Sequence, residues 1–157
     1  MDLTWINVVD TAVKIGLGAL ISALAAYIAL TKNQSYEDKK EARANFYKLQ
    51  EEKKLKYVEL LVQSQELIQS HLYKSCPPDS DLIKKYLRAF NEVQIISNDA
   101  IRLAAYNMVS DVQSFVCLNK NQQEIELMDK MGASAREKVS YFQKIAQAEV
   151  TRCYQNT

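Results

Sequence analysis

The side chains able to do chemistry are few and scattered. His71 is the only histidine of the 157 residues, which removes the commonest general base and metal ligand from everywhere else in the chain. Cys76, Cys117 and Cys153 show no CxxC spacing, so three free thiols are expected rather than a metal knuckle or redox pair. His71, Cys76 and Cys153 could form a three-ligand metal site only if the chain brought them to one end. A surface histidine and ordinary thiols are the simpler reading, so no metal is expected. Glu92, Asp99 and Asp111 lie close to Arg88 and Arg102 and read as a solvated, paired face rather than an acid–base couple. Asn91, Gln94, Ser97 and Asn98 cluster in the same stretch; one reading is a buried polar network that fixes register or binds a partner, the simpler one that most of them face water. Neither GxGxxG nor GxxxxGK[ST] occurs, so no phosphate-cradling loop is available. The expectation is therefore no catalytic residue, no cofactor and no small-molecule substrate.

Charge excludes another class. Twenty Lys and Arg against nineteen Asp and Glu give a net +1, far from the concentrated basic face that nucleic acid requires. Between Lys39 and Lys56, Lys39, Lys40, Arg43, Lys48, Lys53, Lys54 and Lys56 alternate with Glu41, Glu51 and Glu52. Such a mixture suits a solvated helix face with i, i+4 pairing, or contact with anionic headgroups.

The elements that must position these residues are helices. Three glycines and two prolines are all the chain contains, and no glycine occurs from Ala19 to Met131. Without Asn-Gly or Asp-Gly pairs, hairpins have nothing to turn on. The fold class expected is all-α: a single N-terminal transmembrane helix followed by an antiparallel three-helix, up-down-up bundle.

No charge occurs from Ile15 to Thr31, and Val8, Val9, Ala12 and Val13 extend the apolar stretch past Asp10 and Lys14. This predicts a membrane anchor over residues 1–31, with a span at about 8–30 and with Trp5, Tyr27 and Lys32 as interfacial residues. Basic residues crowd the C-terminal flank, so the expected protein is a single-pass cell-membrane protein, N-terminus outside and C-terminus cytoplasmic. Within the span, Gly18, Ser22, Ala25 and Ala29 share one half of the helix and Leu17, Leu20, Ile21, Leu24, Tyr27 and Ile28 the other. In lipid the small half would allow close backbone approach to a second helix.

Residues 32–157 are expected to form the cytoplasmic bundle, with helices at about 35–75, 80–118 and 122–153. Ser35 with Asp38 has capping-box form. Leu49, Tyr57, Leu60, Leu61, Ser64, Leu67 and Leu72 recur at helical spacing until Pro77-Pro78. Asp79 or Ser80 can cap the next helix, whose face runs through Ile83, Tyr86, Val93, Ile101, Met108 and Phe115 and is widened by Ile95, Leu103 and Val109. The third carries Met131, Ala135, Val139 and Phe142, with a kink or restart allowed at Gly132 to Ala135. This arrangement places Cys76 and Cys153 at the membrane-distal end and Cys117 at the proximal one.

The function expected is that of a non-enzymatic, membrane-tethered helical interaction protein: a scaffold, sensor or inhibitor at the cytoplasmic membrane surface, working as an oligomer. The alternative is a subunit of a membrane channel, lytic or effector assembly. Partners would be membrane lipid and a homo-oligomer or another membrane protein.

Overall fold

The computed structural model describes residues 3–155. It is all-helical, with 85% of the chain in helix and no strand among the described residues. Four α-helices follow one another: α1 (Leu3–Ser70), α2 (Asp81–Ile96), α3 (Asp99–Cys117) and α4 (Ile125–Val150), with a single 3₁₀ turn at Lys120–Gln122. The contacts divide the chain into two units, the second running from Phe46 to Gln155.

The first unit is helical from Leu3 onward, and every side chain from Ile21 to Asn45 is exposed. The helix does not restart at Ser35, since α1 passes through it unbroken. The expected single-pass topology is overturned here: among the described residues no helix is long and apolar enough to cross a membrane. The reason lies in the run itself. Seventeen uncharged residues from Ile15 to Thr31 reach about 25 Å at 1.5 Å per residue, short of a hydrocarbon core of about 30 Å. Eight of the seventeen are Ala, Gly or Ser, which contribute little transfer energy. The Asp10–Lys14 ion pair, 2.6 Å long, bounds the run on its N-terminal side. The N-out, C-in cell-membrane placement falls with the span.

The second unit is a four-helix bundle, up-down-up-down, in place of the expected three helices. The long second helix is two, because Ser97 and Asn98 leave the helical conformation at ψ 159° and 168°. Asn98 caps the new helix: its Oδ1 accepts from the Ile101 backbone N–H at 3.0 Å, satisfying an N–H that has no partner inside the helix. At the other end, Pro77 and Pro78 cannot continue α1, and the Ser80 hydroxyl caps α2 by accepting from Ile83 N–H. Each connection is short, so successive helices run antiparallel.

Splitting the second helix rearranges the ends. The Cys76 N–H donates to the Val116 carbonyl at 2.9 Å, which places Cys76 beside Cys117. Cys153 lies at the opposite end, where it shares a cleft with Phe46. The grouping of Cys76 with Cys153 is therefore wrong, and with it the only geometry in which His71, Cys76 and Cys153 could share a metal.

The core follows the helical periodicity. Tyr57, Leu60, Ser64, Leu67 and Ile68 of α1 are buried with Tyr86 and Val93 of α2, Met108 and Val112 of α3, and Phe142 of α4. Ser64 is fully buried and has its polar groups paired: its hydroxyl donates to the Leu60 carbonyl at 2.7 Å and accepts from the Tyr86 hydroxyl at 2.9 Å. Gly132 does not interrupt α4. A Cβ there would stand 3.2 Å from Phe115 Cε2, so glycine is what lets α4 approach the phenyl ring. Ile95 and Leu103, expected to widen the core face, are instead 82% and 63% exposed. Each stands two residues, about 200° around the helix, from a buried position of its own helix, Val93 in α2 and Ile101 in α3.

Candidate functional site

Three groups of residues stand out, and each begins in the local sequence. The first is where α1 ends. His71 is buried, its Nδ1 3.0 Å from the Leu67 carbonyl. Lys120, on the 3₁₀ turn, sends its ammonium beneath α1, where it donates to the carbonyls of His71 and Lys74. It also lies 4.1 Å from the centre of the Phe115 ring. Ser75 accepts from the Lys120 N–H and donates to the Leu118 carbonyl at 2.7 Å, fixing the turn. A cation on the last carbonyls answers the partial negative charge of a helix C-terminus. Burial lowers the pKa of Lys120, and the neighbouring Cys117 opposes that. Burial raises the thiol of Cys117, helped by Cys76 and resisted by Lys120. A thiol shifted upward is a poorer nucleophile at neutral pH, because the thiolate is the reactive form. The cluster thus caps and pins a helix end.

The second group joins three helices at the opposite end of the bundle. Glu149 is 6% exposed; its Oε1 accepts from Lys53 Nζ at 2.8 Å and its Oε2 from Asn98 Nδ2 at 2.7 Å. Arg152 adds a longer contact of 3.7 Å. Asn98 therefore works twice, with its oxygen on the α3 N-terminus and its nitrogen on Glu149. Beside it, the Tyr57 hydroxyl bonds Ser97 Oγ at 2.9 Å, and the Tyr57 ring meets Phe142 edge-on at 5.9 Å. Burial raises the pKa of Tyr57, against the opposing Ser97 bond. Both carboxylate oxygens are occupied, so the group is a three-helix lock rather than a free acid or base. Among the described residues no set of three His, Cys, Asp or Glu side chains is placed to hold a metal ion.

Sequence reasoning missed Lys53, Glu149 and Lys120. A signal existed for the first two. Glu149 falls in the series 135, 139, 142, 146, 149 and Lys53 in the series 50, 53, 57, 60, 64, so each is a charge at a core position of its helix. Of the polar cluster expected to face water for the most part, Asn91 and Asn98 are exposed and Gln94 and Ser97 half-buried, while Ser97 and Asn98 also bond Tyr57 and Glu149.

The third group is the apolar part of α1 in the first unit. Of the expected contact face, Ser22, Ala25 and Ala29 are exposed on the helix. The surroundings of Gly18, like those of Trp5 and Ile15, fall outside the described residues. On the other half, Ile21, Leu24, Tyr27 and Ile28 are 66%, 58%, 67% and 48% exposed. No protein-family model matches the chain, and no curated protein or solved structure does so either.

Proposed function

We propose that the protein is a non-enzymatic helical interaction protein that self-associates through the apolar segment of α1 at residues 19–31. The observation that supports this reading is the exposure of Ile21, Leu24, Tyr27, Ile28 and Leu30 on one helix. Fully burying one such aliphatic side chain is worth about 1.5–3 kcal/mol, and a contiguous apolar surface of this kind marks an interaction site. A second copy supplies the same stripe, which a two-fold axis sets against the first. Its two halves differ. The bulky half carries the drive to leave water, whereas Gly18, Ser22, Ala25 and Ala29 are the half along which backbones could approach closely.

Light scattering coupled to gel filtration tests this on the full chain. The expected mass is that of a dimer or larger oligomer, and Leu24→Lys with Ile28→Lys returns it to the monomer. Ser22→Leu with Ala25→Leu identifies the contacting half: association weakens if the small residues are in the contact and persists if the bulky ones are. A monomer at high micromolar concentration overturns the reading. So does binding to phosphatidylcholine vesicles without any chain–chain association.

A further inference from the structure

Two of the three thiols are neighbours, because hydrogen bonds pin the loop after α1 to the chain that leaves α3. The Cys76 N–H donates to the Val116 carbonyl at 2.9 Å. Ser75 Oγ donates to the Leu118 carbonyl at 2.7 Å and accepts from the Lys120 N–H. Cys117 thus lies between Val116, which is tied to Cys76, and Leu118, which is tied to the residue before Cys76. Covalent geometry bounds the separation. A Cα lies about 3.8 Å from an oxygen that accepts from its own N–H, and about 2.8 Å from the carbonyl oxygen of the preceding residue. The Cα atoms of Cys76 and Cys117 are therefore no more than about 7 Å apart, within the reach of a disulfide.

Both are free thiols in this structure. Cys117 is half-buried and Cys76 buried, so an oxidant meets Cys117 first. Cys76 lies between α1 and α2, outside either helix, and can turn toward Cys117 without unwinding one. The Ser80 hydroxyl, 3.1 Å from Cys76 Sγ, is placed to donate to a thiolate there. We infer that Cys76 and Cys117 form a reversible disulfide by exchange with a small-molecule disulfide of the glutathione class. The Cys117 thiol gives its proton to water and its thiolate attacks one sulfur of the oxidant, whose S–S bond breaks to release one small thiolate. Cys76, its proton also lost to water, then attacks Cys117 Sγ and expels the second. The protein gives up two electrons and two protons, and the oxidant leaves as two thiols. Burial raises the Cys117 thiol, so the first step is slow. The bond joins residues 41 positions apart and fastens the end of α3 to the loop in which α1 terminates. A cross-link of that span restricts the unfolded chain.

The test uses the full chain with Cys153→Ser, which leaves only these two thiols. It is equilibrated in mixtures of reduced and oxidised glutathione, folded or in urea, acid-quenched and mapped by non-reducing peptide mass spectrometry. The expected product is a Cys76–Cys117 cross-link within one chain, with no glutathione attached and with monomer mobility on a non-reducing denaturing gel. Half-oxidation of the folded chain is expected at a glutathione disulfide level at least about tenfold below that needed in urea, because the fold holds the thiols together. Cys76→Ser on the same background should trap glutathione on Cys117, with circular dichroism verifying its fold. The oxidised chain should melt several degrees above the reduced one. Glutathione left on Cys117 while Cys76 is present, a cross-link that forms as readily in urea or only between chains, or no rise in melting temperature overturns the inference.

Discussion

One helix carries two kinds of surface. Residues 21–45 and 46–70 both belong to α1, yet the first stretch has every side chain in solvent while the second buries Tyr57, Leu60, Ser64, Leu67 and Ile68. Local propensity does not separate them, since Ala, Leu, Lys and Glu are good helix formers in both. What separates them is the presence of α2, α3 and α4 against the second stretch. Helices draw most of their stability from packing an apolar face, so stability should concentrate after Phe46, and residues before it should be energetically silent until another chain covers them.

The sharpest way to break this comparison is a pair of truncations. Phe142→Ala, beneath the Tyr57 ring, is expected to cost about 3–5 kcal/mol by urea denaturation. Leu24→Ala, measured at a dilution where the chain is monomeric, should stay within about 0.5 kcal/mol of the parent. A comparable loss from Leu24→Ala would mean that the exposed stretch is packed after all.

Removing Glu149 comes next. Glu149→Ala strands the Lys53 ammonium, whose side chain is only 13% exposed, and breaking one side of a buried pair costs about 3–5 kcal/mol, toward the lower end here because Lys53 lies near solvent. Glu149→Gln keeps an acceptor for Lys53 and Asn98 and should recover part of the loss in thermal melts. Equal melting of Ala and Gln variants would show that shape, not hydrogen bonding, is what the site uses.

Smaller still is Asn98→Ala, which deletes both the α3 cap and the bond to Glu149; about 1–2 kcal/mol is expected in denaturant titrations. Were the variant as stable as the parent, the division into α2 and α3 would have some other cause.

The smallest effect at neutral pH belongs to Tyr86→Phe, about 1 kcal/mol, because Ser64 still donates to Leu60. In alkali the difference shrinks. Burial raises the Tyr86 phenol above its ordinary value of 10.0. The unfolded chain therefore releases this proton first, and stability falls as pH rises past 10. Tyr86→Phe removes that slope, so parent and variant should converge as pH climbs, with phenolate absorbance following unfolding in the parent. Titration of all nine tyrosines before any unfolding would contradict the packing around Ser64.

Much of the bundle was legible in the sequence, for reasons tied to particular residues. Pro77-Pro78 breaks any helix, and the spacing of Tyr57, Leu60, Ser64 and Leu67 is that of a buried stripe. The Ser97–Asn98 break was not legible from breakers, since neither residue is Gly or Pro and the apolar series continues from Val93 to Ile101 without a missed step. The cue was chemical: asparagine three residues before Ile101, with Asp99 in the first turn. The uncharged run after Lys14 points the opposite way, because its flanking Trp5, Tyr27 and Lys32 resemble those of a span although about half of the run is small residues. The Glu149 lock stayed hidden because charges are expected outside, and only their register in the core series marks them.

The lock has a consequence for how the chain reaches its fold. Lys53 and Glu149 are separated by 96 positions, whereas α2 and α3 are joined across two residues. Closing a loop of that length costs about 4 kcal/mol of chain entropy by the logarithmic rule, while the α2–α3 hairpin closes for far less. The α2–α3 hairpin is therefore expected to form before the first and last helices of the bundle meet.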